Sequence, residues 1–324
     1  MSDVGAALIG ASGFWGPRIA DAAARAGGIR LVTCYARDGE RRETFARERG
    51  IEAAASFEAA IEHSDVDAVL LVTPNDLHAE QALACAERGR HVFVEKPIAD
   101  TLEAADRMRA VFTDAGLVLA VGHGMRRLGA ARRTKELLEE GALGPVVLAE
   151  ANWSLASKLT PQAWRWYRAR NAGGPLMQLG VHHADTLAYW LGPVARSHGT
   201  FGHVVTEAEA DDVGVLALEF GSGARGVIAG SYVSPPTYTL RLFGTEAVLE
   251  YAIDMSVWPQ AERADAATTL VLSRPGGREM LDFPERDPLA EELGEFARAV
   301  RGEAKPETGA EEGIAALRVI LEAL

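Results

Sequence analysis

The chain has 324 residues, with 33 Lys and Arg against 46 Asp and Glu, and a formal net charge of −13. That length can bury a substantial core without disulfides or a structural metal, and it favours two domains. So acidic a chain repels phosphate backbones and anionic lipid, which argues against nucleic acid or a membrane surface as partner. Cys34 and Cys85 lack metal-ligand spacing and read as reduced thiols of a cytoplasmic protein with no bound metal. Met1-Ser2-Asp3-Val4-Gly5 carries no basic stretch, so a signal peptide is not expected. No apolar run approaches the roughly 20 residues of a membrane span.

Over residues 1–122 short apolar runs alternate with helical patterns. Val4–Ile9 predicts a strand, Ile19–Ala26 a helix stopped by Gly27-Gly28, Leu31–Cys34 a strand and Glu40–Arg49 a charged helix. Ala68–Val72 reads as a buried strand, Leu77–Glu87 as a helix capped near Gly89, and His91–Val94 as a strand. Leu102–Phe112 and Leu117–Val121 add a helix and a further strand. Strand–helix alternation with continuous apolar strands marks a parallel sheet covered on both faces. Residues 1–122 are therefore expected to form a doubly wound α/β domain.

From Val146 onward strands dominate: Val146–Trp153, Ser197–Thr206, Val213–Phe220, Ala224–Val233, Thr237–Phe243 and Ala247–Ala252. Short turns such as Gly221-Ser222-Gly223 join them, and one helix over about Pro175–Leu191 interrupts them. This predicts a large, mainly antiparallel open sheet in an α+β domain over residues 123–324. Leu289–Val300 and Glu311–Leu324 are closing helices, the last able to pack back on the first domain. Ala261–Ala267 and Arg274–Arg278 read as mobile loops. The open sheet face cannot remain a large bare apolar patch, so a homodimer or homotetramer is expected.

Gly10-Ala11-Ser12-Gly13-Phe14-Trp15-Gly16 follows the first strand and opens the first helix. Glycine suits a sharp turn and the close approach of a pyrophosphate, and the helix start offers free N–H groups to it. The spacing is GxxGxxG, looser than the Rossmann fingerprint, and a ligand-free turn has the same pattern. Pro17, just past the last glycine, loses little by lacking an N–H there. At the end of the second strand an acid would bind a ribose 2′-hydroxyl and a cation a 2′-phosphate. The run is Cys34-Tyr35-Ala36-Arg37 with Arg41 and Arg42 beyond, so NADP is preferred, with NAD as the alternative.

Three segments fall at expected carboxyl ends of strands, where a doubly wound sheet places its ligand. They are Thr73-Pro74-Asn75-Asp76-Leu77-His78, Glu95-Lys96-Pro97 and Gly122-His123-Gly124-Met125-Arg126-Arg127. In the second half, Gly173-Gly174-Pro175-Leu176-Met177-Gln178-Leu179-Gly180-Val181-His182-His183-Ala184-Asp185 opens the inserted helix. Together, in this order and spacing, they resemble the Gfo/Idh/MocA oxidoreductases, and the resemblance spans essentially the whole chain. It implies a Rossmann domain binding NADP or NAD and hydride transfer between nicotinamide C4 and a secondary alcohol or ketone of a sugar, cyclitol or related polyol.

Residue by residue, Lys96 matches the family's catalytic lysine, and His182 its second acid/base residue. An ammonium half-buried near a cationic ring is expected to have a depressed pKa. Cofactor contacts are expected from Gly10, Ser12, Gly13, Phe14, Trp15, Arg37, Thr73, Pro74, Asn75, His78, Glu95 and Lys96. In relatives the proline after the lysine begins a cis or tight segment. Gln178 stands where most members have an aspartate; it keeps hydrogen bonds but cannot take a proton. Gly124 replaces a common asparagine.

Trp153, Trp164, Trp166 and Tyr167 crowd together with Arg165, Arg168 and Arg170. Such a group grips a sugar ring or packs a core equally well. Substrate contacts are expected from Lys96, Arg126, Trp153, Trp164, Arg165, Gln178 and His182. Two other readings stay open: a non-catalytic nucleotide sensor, and a glycosidase working by transient oxidation with retained NAD.

Overall fold

Continuous apolar runs in the first third of the chain close into a six-stranded parallel sheet. In the computed structural model, which describes residues 2–257 and 263–324, these runs are β1 (Val4–Ile9), β2 (Ile29–Tyr35), β3 (Glu52–Ala53), β4 (Ala68–Leu71), β5 (His91–Glu95) and β6 (Leu119–Gly122). Their order is β3-β2-β1-β4-β5-β6, with the reversal of direction between β1 and β4. Every residue of β1 and of β4 is buried, as expected of strands covered on both faces. The covering helices are α1 (Trp15–Ala26), α2 (Gly39–Arg49), α3 (Phe57–Glu62), α4 (His78–Glu87) and α5 (Leu102–Asp114).

Side-chain caps set several starts. Asp38, Ser56 and Thr101 accept backbone N–H bonds from Arg41, Ala59 and Ala104. Short α3 and two-residue β3 were not legible from periodicity, because neither is long enough to show one. Helix α1 begins at Trp15, four residues before the expected Ile19, and so takes Gly16 and Pro17 into its first turn.

The second sheet is built from β7 (Val146–Ser154), β8 (Val194–Gly202), β9 (Val213–Phe220), β10 (Arg225–Ser231), β11 (Thr237–Gly244), β12 (Val248–Ile253), β13 (Thr268–Arg274) and β14 (Gly277–Met280). Its order is β14-β13-β12-β11-β7-β10-β9-β8, antiparallel except for the parallel pair β7 and β10. Strands here alternate buried with open residues, β9 being the clearest case. The hairpin β13–β14 turns at Arg274–Gly277, inside the span expected as a loop. Of the loop expected over Ala261–Ala267, residues 261 and 262 lie outside the described residues, and Asp265–Ala267 forms a 3₁₀ turn.

Helix α6 (Gly129–Glu139) was missed because its sequence is dominated by Arg132, Arg133 and Lys135. Its inner face is small: Ala130, Ala131, Thr134 and Leu137. Asp265 holds its start, accepting from the N–H of Gly129 at 2.6 Å and of Ala130 at 3.3 Å. Any side chain at Gly129 would meet the Pro284 carbonyl. The helix expected over Pro175–Leu191 is a π turn, Leu176–Gly180, continuing as α7 (Val181–Leu191). Helices α8 (Pro288–Val300) and α9 (Ala310–Leu321) follow the second sheet. The chain divides into two units: Met1–Gly122 with Leu289–Ile314, and His123–Pro288 with Ala315–Leu324. Among the described residues no helix is long and apolar enough to cross a membrane.

Candidate active site

The glycine loop joins β1 to α1 with little room to spare. Gly10 has φ +93°, and a Cβ there would lie 2.7 Å from the Val72 carbonyl oxygen. A Cβ at Gly16 would lie 2.1 Å from the Ala11 carbonyl oxygen, so both positions exclude side chains. The first turn of α1 has no side-chain cap and no acidic residue. Its N–H groups are thus left for an outside acceptor, a fit for a dinucleotide's pyrophosphate. Ser12 lines a cavity of about 480 Å³ beside the loop, together with Pro17, Arg41 and Thr44. Phe14 is 55% exposed, with the Arg18 guanidinium 3.8 Å over its ring, and Trp15 packs edge-on against it.

At the end of β2 the three arginines separate. Arg42 donates to the Ala36 carbonyl at 3.2 Å, and Arg41 pairs with Asp38 at 3.5 Å. Arg37 is exposed, one residue past buried Ala36.

The ends of β4 and β5 carry the next residues. Thr73 and Pro74 are partly open and Asn75 is buried. The Thr73 hydroxyl donates to the Gln81 side chain at 2.6 Å. His78, expected as a cofactor contact, is instead 1% exposed, and its ring nitrogens lie 2.8 Å from the carbonyls of Pro97 and Thr73. Both polar atoms are spent on backbone, so His78 offers none to a ligand. Burial pulls its pKa below the ordinary histidine value. Glu95 is buried beneath Gly122, and burial pushes its carboxyl up to about 7, against the pull of the neighbouring Lys96. Lys96 is half-buried, and the Lys96–Pro97 peptide is cis, the form the resemblance implied for that segment.

In the second unit the π turn carries Gln178 and α7 carries His182, both almost completely buried. Trp153, expected against a substrate, is 0% exposed and therefore has no surface to offer one. Its indole lies under His182, with ring centroids 5.1 Å apart, and meets Tyr238 edge-on at 5.0 Å. His183 faces away into this aromatic core, where burial pushes its pKa down to about 3 and keeps it neutral. Arg126, also expected at the substrate, is buried in a two-pronged pair with Asp185 at 2.8 and 2.5 Å. His123 lies 3.9 Å from the same carboxylate and edge-on to His182.

Sequence reasoning missed this joint use of Asp185; its signal was the pairing of two quoted segments, each holding one buried charge. Trp164 and Arg165 are partly open and stacked on each other, the guanidinium 4.4 Å from the ring. Arg168 pairs with Asp211 at 2.9 Å.

Comparison with known proteins identifies the family. Residues 4–123 match the family described as "Oxidoreductase family, NAD-binding Rossmann fold", and residues 131–250 match the GFO/IDH/MocA C-terminal domain. A 1,5-anhydro-D-fructose reductase from Ensifer adhaerens is 30% identical over 296 residues, covering 90% of this chain and 87% of the relative. A 2,7-anhydro-N-acetylneuraminate hydratase from Mediterraneibacter gnavus is 27% identical over 79% of this chain and 68% of that protein. Among solved structures, a candidate NADPH-dependent oxidoreductase from Desulfitobacterium hafniense superposes with a TM-score of 0.94 at 35% identity, covering 99% of this chain and 94% of the other. The chain belongs to the Gfo/Idh/MocA oxidoreductases. Its first unit is that family's NAD-binding Rossmann domain.

Proposed function

We propose that the protein interconverts a secondary alcohol and ketone on a sugar, cyclitol or related polyol, with NADPH or NADP⁺ preferred. The observation that carries this reading is Lys96: a half-buried ammonium beside a buried carboxyl at the end of β5, in the Glu95-Lys96-Pro97 motif of the family. The dinucleotide, when bound, supplies the hydride donor or acceptor. Residues Gly10, Ser12, Gly13, Phe14 and Trp15 would hold its pyrophosphate, and Arg37 a 2′-phosphate. Thr73, Pro74, Asn75 and Glu95 would line its further course. Lys96 moves the proton at the substrate oxygen, and His182 is the second group able to carry one. Gln178 and Arg165 orient hydroxyls by hydrogen bonds, and Trp164 offers a ring face to sugar C–H groups. The open face of the second sheet, where Val147 and Val215 stand exposed, is the surface on which two copies would pair.

The test is turnover of nicotinamide absorbance with 1,5-anhydro-D-fructose, D-xylose, myo-inositol and their oxidised counterparts. Lys96→Ala is expected to lower kcat by about a thousandfold or more while NADPH affinity changes little. Turnover close to that of the unaltered enzyme in the variant would end the reading. A second reading has two observations behind it: a hydratase is among the relatives, and Gln178 cannot act as a base. In that case cofactor would co-purify and stay unconsumed while a C–O bond of an anhydro-sugar is opened.

A further inference from the structure

Hydrogen bonding between β4 and β5 ends early: the last paired residues are Leu71 and Val94. Beyond that point β4 gives way to a loop, β5 runs one residue further to Glu95 beside β6, and the carbonyls after these strand ends lack the partners that the sheet supplied. Two of these carbonyls, of Thr73 and Pro97, nevertheless face the same imidazole, each 2.8 Å from one of its nitrogens. The ring belongs to His78, the first residue of α4, and is sealed from solvent.

We infer that His78 is a positioning residue whose imidazole spans the carbonyls of Thr73 and Pro97, extends the β4–β5 ladder as a rigid side-chain rung, and so holds Lys96 in place. This rests on the proposed role of Lys96. The rung acts on the carbonyl of Pro97, the residue next to Lys96, so the backbone that carries the ammonium lies one residue from a fixed point. The hydroxyl of Thr73 adds a second tie to α4 through Gln81 at 2.6 Å. A neutral ring, the form that burial favours, donates to one of the two carbonyls and packs its other nitrogen against the second, whereas an imidazolium would donate to both. The charged groups that face the ring are Asp76, which favours the second proton, and Lys96, which opposes it. Glycine or alanine at position 78 would remove the ring from both carbonyls and leave that of Pro97 without it in a buried place.

The test uses the full-length protein and reads Lys96 directly as well as through activity. The chain has only four lysines, Lys96, Lys135, Lys158 and Lys305, so acetylation of each can be followed by mass spectrometry across pH in the cofactor-free protein. In His78→Ala the acetylation rate of Lys96 is expected to change by about threefold or more, while Lys135, Lys158 and Lys305 keep theirs. The same variant should lose about tenfold or more in kcat, since small misplacements of a reacting group cost that much, with KM for NADPH within about threefold. Added imidazole should restore part of the loss.

The inference is overturned if folded His78→Ala labels at Lys96 and turns over like the unaltered protein. It is also overturned if KM for the cofactor rises while kcat holds, which would return His78 to the cofactor. Should that variant fail to fold, His78→Gln replaces it in both assays, and ¹⁵N-histidine spectra of the unaltered protein give a further check: the rung requires a ring N–H at His78 protected from exchange, and its absence refutes the claim. Lys96→Ala that remains active would remove the proposed function yet leave the labelling result standing, so the two failures are told apart.

Discussion

The two sheets of this protein solve the burial of apolar surface in opposite ways. In the first, β1 and β4 are buried along their whole length, and the strand ends are the places where polar residues gather. In the second, β9 and β11 bury every other residue and leave one face of the sheet more open. A sheet covered on both faces concentrates chemistry at its rim, where loops leave the last hydrogen-bonded residue. A sheet with one open face can bring chemistry to its covered face, through the elements packed there. Here those elements are the π turn, bearing Gln178, and α7, whose His182 lies against Trp153 of β7. His78 at the rim of the first sheet lies against backbone carbonyls, whereas Arg126 and His182 in the second unit meet a carboxylate and an aromatic ring.

The sharpest way to break that contrast is at Asp185. Its carboxylate is the two-pronged partner of buried Arg126, and removing it takes that carboxylate from a guanidinium in the interior. Asp185→Ala is expected to cost about 3–5 kcal/mol in denaturant stability, because a buried charge loses its carboxylate partner. The double variant Arg126→Met with Asp185→Leu should recover most of it. A double variant as unstable as the single one would mean that the pair itself holds this region, and that the charge left without its carboxylate does not set the penalty.

In the first unit the corresponding buried charge titrates. Glu95 has its carboxyl raised to about 7 by burial, so the folded state binds that proton more tightly than the unfolded chain does. The sign follows from linkage. This contribution is fully present below the unfolded pKa near 4.5 and is lost as pH rises through about 7. Between those limits the protein should lose about 1–3 kcal/mol. Glu95→Gln should flatten the slope, measured as urea midpoints from pH 4.5 to 8. An unchanged slope would place the titration elsewhere.

Most of this architecture was readable from residue order, and the exceptions have physical causes. Val213–Phe220 was bounded to the residue because alternation and flanking turns both mark it. Helix α6 was hidden, since a helix whose buried face is alanine and threonine shows little hydrophobic contrast. The site divides the same way. The loop glycines were visible because a tight strand–helix turn needs them, and Lys96 and His182 were singled out by the resemblance their motifs carry. The buried states of Trp153, Arg126 and His78 were not, because whether an aromatic or polar side chain meets a ligand or its own protein depends on partners distant in sequence. Asp185 lies 59 residues from Arg126, and Pro97 lies 19 from His78.

A smaller effect tests the rim of the first sheet from the cofactor side. Arg42 and Arg41 are engaged with Ala36 and Asp38, while Arg37 projects from the end of β2. Arg37→Ala is expected to weaken NADPH by about tenfold, close to 1.4 kcal/mol, and to leave NADH within about twofold. Fluorescence titration of both cofactors decides it, and equal losses would make Arg37 an ordinary solvated charge.

The smallest expected effect returns to the open face. Val215 on β9 is 42% exposed, whereas Leu70 on β4 is fully buried. Leu70→Ala should cost about 2–5 kcal/mol, the usual penalty for a cavity in a covered core. Val215→Thr should cost less than about 0.5 kcal/mol if that face meets only water. If a second copy of the chain covers it, the loss grows and the melting temperature comes to depend on protein concentration, because association and folding are then linked. Melting curves of both variants over a hundredfold range of concentration separate the two cases. A concentration-dependent loss at Val215 would make the second sheet, like the first, a sheet covered on both faces, with its second cover supplied by another molecule.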